Sequence, residues 1–269
     1  RYTDASVGKE IGVNHLPQRL RDGETLLGTF LNLGSSLTAE MIGKAGFDFV
    51  VIDLEHGSGT EANVLHQLQA LESTGAKSVI RVEGHARQRS HRVLDLGAHG
   101  IMFPRVDTAT EAERCVAALR YPPLGVRGVA SMNRAAGFGV TFRDYVDSHK
   151  DALLGVVQIE TVESVRNVDE IAAVDGADVL FIGPLDLSTS LGVLGQFDHP
   201  DFQAALEKTA AAARKHGKSA GVLMPKPEMF DRFHDLGYRF LASGSDGAMV
   251  NNAARSLARA LIELRAKRS

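Results

Sequence analysis

Four short apolar stretches of this chain end in residues able to do chemistry: Asp53-Leu54-Glu55-His56, Arg81, Gln158-Ile159-Glu160 and Gly183-Pro184-Leu185-Asp186. Glu160 and Asp186 stand one strand-helix unit apart. Two carboxylates facing a common point repel unless a cation or a proton intervenes. Oxygen ligands with few nitrogens favour Mg²⁺, Mn²⁺ or a similar hard ion, with water and substrate completing the shell. The competing reading makes Glu160 and Asp186 caps of the helical segments that follow them, a common place for an acidic residue. Spacing alone leaves both open.

Asp53, three residues before His56, can accept the imidazole Nδ1–H, fixing the tautomer and leaving Nε2 as a base. The chain holds 10 histidines, so an ordinary loop histidine is the rival account. Arg81 ends the otherwise apolar run SVIRV. A desolvated guanidinium needs an anion, which a substrate group, Glu55 or Glu83 would supply. A Schiff-base mechanism would need a desolvated lysine at the same rim. Only Lys226 lies near the end of an apolar run, between two prolines in an exposed-looking place. That disfavours the lysine route and strengthens the metal route.

These residues need elements to carry them. Eight near-continuously apolar runs span 26–33, 47–56, 78–82, 100–106, 153–160, 178–184, 219–224 and 239–244. This is the pattern of strands buried on both faces of a parallel sheet. Segments of helical periodicity separate them, with Thr108 and Thr110 as candidate N-caps and Gly46, Gly97, Gly217 and Gly237 as candidate stops. Strand then helix, eight times over, predicts an α/β fold, a (β/α)8 TIM barrel whose working residues gather at the C-terminal ends of the strands. A doubly wound open sheet is the alternative, but the first strand is followed by GSSLTAE, which lacks the Gly-rich turn that fold uses. Residues 121–152 break the rhythm and are expected to form an irregular insertion, of the length that tends to be functional.

A chain of 269 residues suits a single barrel domain over 26–269, preceded by an N-terminal extension over 1–25. Thirty Lys and Arg against 33 Asp and Glu leave a net charge of −3, which speaks against a nucleic-acid surface. No apolar run approaches the roughly 18 to 20 residues of a membrane span. The opening RYTDASVGKEIGVNH lacks the build of a secretory leader. The single Cys115 fits a reducing compartment, and the expectation is a cytoplasmic protein.

Taken together, AGFDFVVIDLEHG (45–57), IRVEG around Arg81, RYPPLGVRGVA (120–130), VVQIET (156–161) and FIGPLDLS (181–188) resemble the class II pyruvate aldolases, the family of 4-hydroxy-2-oxoheptanedioate and 2-dehydro-3-deoxyglucarate aldolases. The likeness runs from about Leu26 to Arg265. It implies cleavage of 4-hydroxy-2-keto acids to pyruvate and an aldehyde, with decarboxylation of oxaloacetate as a side activity. It implies a divalent metal on Glu160 and Asp186, with Mg²⁺ or Mn²⁺ foremost and Co²⁺ or Zn²⁺ as further candidates. By the same resemblance, His56 is the base, acting partly through water, and Asp53 belongs to its motif. Arg81 stabilises the enolate, and Gln158 binds substrate. The stretch Gly183, Pro184, Leu185 and Asp186 lies along the pyruvate, whose carboxylate would meet the N–H groups of Leu185 and Asp186. Asp95 matches an acid paired with the histidine, although its place at the end of a helix puts it at the opposite rim unless a loop or another subunit brings it round. The family form is a homo-hexamer with exchanged last helices. Leu185 stands where many members carry Ala, which narrows the space beside pyruvate. Two further readings remain: a lyase of a hydroxyacyl-CoA, for which only the Arg127/Arg134 loop offers a basic patch, and a non-catalytic barrel that binds keto acids.

Overall fold

The apolar runs form strands because each is hydrophobic on both faces, and such strands pair in parallel when helices cover the outside. A computed structural model describes residues 15–268. In chain order its elements are α1 (Leu16–Arg21), β1 (Leu26–Leu31), α2 (Ser36–Gly43), β2 (Phe49–Asp53), α3 (Glu61–Leu71), β3 (Lys77–Arg81), α4 (Arg87–Asp95), β4 (Gly100–Phe103) and α5 (Ala109–Leu119). A 3₁₀ turn at Gly137–Gly139 then leads to α6 (Phe142–Ala152), β5 (Leu154–Gln158), α7 (Val162–Arg166), α8 (Val168–Ala172), β6 (Val179–Ile182) and α9 (Pro184–Ser190). The chain continues through α10 (Pro200–Lys215), β7 (Ser219–Met224), α11 (Phe230–Leu236), β8 (Tyr238–Ser245) and α12 (Asp246–Ala266). Each strand pairs in parallel with the next and β8 returns to β1, so the sheet closes. That is the TIM barrel; the open-sheet alternative falls.

Alternation within the strands sorts the core into two parts. Leu26, Phe30, Phe49, Val51, Val79, Met102, Val156, Phe181 and Phe240 form one cluster, which fills the barrel interior. The residues between them, such as Val50, Ile52 and Ile80, pack outward against the helices. Phe49 and Phe240 stack inside with ring centroids 3.8 Å apart. Gly28 makes room for that pair, since a Cβ there would lie 2.3 Å from the Phe49 ring. Continuing the inward parity upward gives Asp53 above Val51, Arg81 above Val79, Gln158 above Val156 and Gly183 above Phe181. The interior column thus turns from apolar to polar at the C-terminal mouth, as a side-chain period of two requires.

Below, Leu16 and Leu20 of α1 join the interior cluster and close the floor of the barrel. Of the extension expected over 1–25, residues 1–14 lie outside the described part. Thr108 caps α5 in a capping box with Glu111, whereas Thr110 falls inside the helix. Gly46, Gly97, Gly217 and Gly237 all take positive φ after helices, as expected of stops. The insertion over 121–152 is more ordered than expected, because its last third is α6. Phe142, Tyr145, Val146 and His149 are less exposed than their neighbours and recur at helical spacing. Buried Arg127 ties the segment down: it donates to Asp95 at 2.8 Å and to the Tyr145 hydroxyl at 2.9 Å, and lies over the Tyr121 ring at 4.7 Å. Among the described residues no helix is long and apolar enough to cross a membrane.

Candidate active site

Register places Asp53 of β2 beside Arg81 of β3. The guanidinium donates to both Asp53 oxygens, at 2.9 and 2.7 Å, and its third nitrogen lies 3.2 Å from Glu55. A planar fork on a carboxylate suits a buried ion pair, and both residues are buried. Burial alone would lower the Arg81 pKa, but the hydrogen bond to Asp53 and the charges of Asp53, Glu55 and Glu160 outweigh it and hold the cation firmly charged. The anion that Arg81 required is therefore chiefly Asp53, with Glu55 second. Glu83, the other candidate, is taken by Arg89 at 2.7 Å.

That arrangement corrects the reading of Asp53 as the partner of the His56 ring. Asp53 Oδ1 instead accepts the backbone N–H groups of Glu55 and His56, at 3.0 and 3.2 Å, and so shapes the loop that follows β2. The imidazole projects into solvent with 66% of its side chain exposed, its Nε2 3.8 Å from Glu55. Asp95 is not brought to His56 within the chain. It ends α4, is paired with Arg127, and does not line the cavity that contains His56.

Glu160 follows β5 and is buried. Its Oε2 accepts the Arg105 backbone N–H at 3.2 Å, and its Oε1 takes a short hydrogen bond from Gln158 Nε2. Gly183 gives this carboxylate its room, since a Cβ at that position would lie 2.3 Å from Oε1. Burial first, then the charges of Asp186 and Glu55, push Glu160 up to about 8, against the opposing effects of the Arg105 N–H and Arg81. Glu55 is also raised, mainly by burial. Neither capping alternative survives: Thr161 caps α7, and Gly183 is the N-cap of α9, with Asp186 in its first turn.

The two carboxylates fit a hard cation. They are all-oxygen donors, Glu160 is buried among like charges, and the buried Gln158 Oε1 beside it has no hydrogen-bond partner. Among the described residues no three His, Cys, Asp or Glu side chains gather as a closed cage, so water and substrate would complete the shell. Asp53, His56, Arg81, Gln158, Glu160, Gly183, Pro184, Leu185 and Asp186 all line one cavity of about 480 Å³ at the barrel mouth. A larger hollow of about 830 Å³ lies beside α3 and α4, where Glu61 pairs with Arg89 and Arg92; it contains none of these residues.

Sequence reasoning missed Arg105, whose backbone holds Glu160 from a left-handed conformation at φ 48°. A non-glycine residue there is uncommon and strained, and no residue type in FPRV signals it. Lys226 is exposed and absent from the cavity lining. The Arg127/Arg134 loop is not a free basic patch, because Arg127 is buried against Asp95 and Arg134 is bound to Leu96 O and Glu72.

The family model described as HpcH/HpaI aldolase/citrate lyase matches residues 26–253. The chain belongs to the HpcH/HpaI aldolase family. It is an aldolase, a carbon–carbon lyase, and its expected class is borne out by its relatives. A hydroxypyruvate/pyruvate aldolase of Roseobacter denitrificans is 41% identical, over 91% of this chain and 96% of that protein. A 4-hydroxy-2-oxo-heptane-1,7-dioate aldolase of Salmonella dublin is 39% identical, over 91% and 93%. The crystal structure of a family member from Burkholderia cenocepacia superposes on the aldolase with a TM-score of 0.87 at 37% identity, covering 94% of this chain and all of that one (100%).

Proposed function

We propose that this aldolase cleaves 4-hydroxy-2-keto acids reversibly to pyruvate and an aldehyde, in the cytoplasm, at the mouth cavity. The observation that carries the reading is Glu160, a buried carboxylate pushed up to about 8 in a setting of further carboxylates that a divalent cation would relieve. Such a cation, Mg²⁺ or Mn²⁺ foremost with Co²⁺ and Zn²⁺ as further candidates, would be held by Glu160 and Asp186 and supply Lewis-acid polarisation of the 2-keto group.

The chain's own groups do the rest. The N–H groups of Leu185 and Asp186, in the first turn of α9 and without intrahelical partners, would receive the substrate carboxylate, with Pro184 and Gly183 lining its seat and Gln158 binding beside it. His56, solvent-exposed at the rim, would take the proton of the C4 hydroxyl directly or through a water. The C3–C4 bond then breaks, the aldehyde leaves, and the bonding pair passes toward the keto group. Arg81 would face that growing negative charge. Fixed by Asp53 before the reaction begins, it would stabilise the transition state more than the bound substrate. The same electron path serves loss of CO₂ from oxaloacetate.

Asp95 would join His56 only across an interface between subunits. A homo-hexamer with exchanged α12 helices is part of this proposal, supported by the exposure of Val250, Leu257, Leu261 and Ile262 along that helix. The CoA-thioester reading loses ground because its two arginines are already committed.

The test is pyruvate release from 4-hydroxy-2-keto acids before and after EDTA, and again with Mg²⁺ or Mn²⁺ restored. Activity is expected to vanish on chelation and return with metal. Activity that survives thorough chelation would overturn the metal reading, and full activity in Glu160→Ala would overturn the role of that residue.

A further inference from the structure

One of the two oxygens of Glu160 is held by a peptide group. Oε2 accepts the Arg105 N–H at 3.2 Å, and Arg105 sits in the β4–α5 loop with a φ of 48°. The next N–H, that of Val106, donates to Gln158 O at 3.1 Å, so two successive donors of this loop face the end of β5. The other edge of the first peptide group is also taken. The Pro104 carbonyl accepts from His85 Nε2 at 2.7 Å. A carbonyl oxygen only accepts, so Nε2 carries the hydrogen whether the ring is neutral or charged. In a trans peptide, as this one is, the C=O and N–H of one plane point in opposite directions. The Pro104–Arg105 plane is therefore held on one side by His85 and holds Glu160 on the other.

We infer that His85 is a positioning residue for Glu160, acting through the Pro104–Arg105 peptide group. The inference rests on the proposed cation site and adds to it a residue that lies outside the lining of the mouth cavity. His85 stands in the β3–α4 loop, half-buried, with its ring edge-on to Phe103 at 6.5 Å and 77°. The loops after β3 and β4 and the end of β5 are thus joined in series, imidazole to carbonyl and then N–H to carboxylate. A positive φ at a residue other than glycine is strained and persists only where its surroundings hold it. The His85 hydrogen bond fixes the plane whose rotation would relieve that strain. Donation to the carbonyl also polarises the peptide and strengthens its N–H as a donor. Without the ring the plane can turn, and Oε2 loses a donor of fixed direction. Carboxylates that ligate metals rely on such outer partners for their orientation.

Mn²⁺ titration of the EDTA-treated protein, followed by the EPR signal of the free ion, reads the site without substrate or turnover. His85→Ala is expected to weaken Mn²⁺ binding by about tenfold or more. Two further variants separate the hydrogen bond from packing, because the amide nitrogen of Gln reaches as far as Nε2 and that of Asn only as far as Nδ1. His85→Gln is expected to bind Mn²⁺ within about threefold of the wild type, and His85→Asn to be as weak as the alanine variant. Unchanged affinity in His85→Ala, or equal losses in all three variants, would overturn the role of His85. Should the alanine variant not fold, the contrast between Gln and Asn decides alone, and equal affinities overturn the inference. The wild type and Glu160→Ala separate the two levels. Mn²⁺ binding that is absent from the wild type, or undiminished in Glu160→Ala, sinks the cation site and the role of His85 with it. Binding that is lost in Glu160→Ala but unmoved in His85→Ala sinks only the positioning.

Discussion

Gly183 acts through an absence of atoms. The family resemblance implied a substrate-lining role, yet the backbone there has an ordinary extended φ of −86°, so conformational freedom is not the reason for glycine. Clearance is: the Glu160 carboxylate occupies the space a Cβ would need. Gly183→Ala is expected to displace that carboxylate, lowering kcat by about a hundredfold. The melting temperature should stay close to that of the wild type. Steady-state kinetics beside thermal melts check this, and a fully active alanine variant would show that Glu160 has another place to go. Clearance of this kind cannot be seen in a one-dimensional string, because the two residues follow different strands.

At the scale of elements, the step from β8 to α12 depends on one buried carboxylate. Asp246 is 2% exposed and accepts from the Asn32 and Leu33 backbone, the Thr38 hydroxyl and its own helix at Gly247 N. It thereby joins the last helix to the loop after β1 and to the start of α2. Asp246→Ala would strand these donors, at a cost of about 3 kcal/mol, and should lower the melting temperature by about 5 to 10 °C. Differential scanning calorimetry measures it; a shift under 2 °C on this scale of about 3 kcal/mol would mean water replaces the lost acceptor. Sequence patterning named the helix itself and the strand ahead of it, since both signals are local. A separation of 214 positions between Asn32 and Asp246 puts their contact out of reach of any window.

The whole molecule bears on two further outcomes. Asp178, just before β6, accepts the Gly155 N–H at 2.9 Å, and burial pushes it from 3.8 up to about 6. The folded state then binds a proton that the unfolded chain has released between those values, so its contribution is greatest at low pH and fades as pH rises. The stability of the wild type relative to Asp178→Asn should fall between pH of about 4 and about 6 and level off above, as thermal melts across that range would show. A relative stability that rose with pH would reverse the sign and refute the account. The second outcome concerns α12, whose apolar side chains lie exposed along its length. If it is exchanged in a hexamer, removing the chain from Met249 onward should collapse the assembly to smaller species in sedimentation velocity. An unchanged sedimentation coefficient per subunit would remove the helix from the interface.

What the sequence alone determined was the barrel and the rim that carries the chemistry. Hydrophobic runs buried on both faces are a local property, repeated often enough here to leave one architecture. The strand ends that carry Asp53, Arg81, Gln158 and Glu160 follow from where those runs stop. Partnership was decided only by the tertiary structure. Whether Asp53 serves His56 or Arg81 depends on the register of β2 against β3, and the fork of a guanidinium wins a buried carboxylate over an imidazole left in solvent. The left-handed backbone at Arg105, the cleared space at Gly183 and the pairing of Asp95 with Arg127 belong to the same class. Each is a contact between residues distant in the chain, set by barrel closure and close packing rather than by residue type.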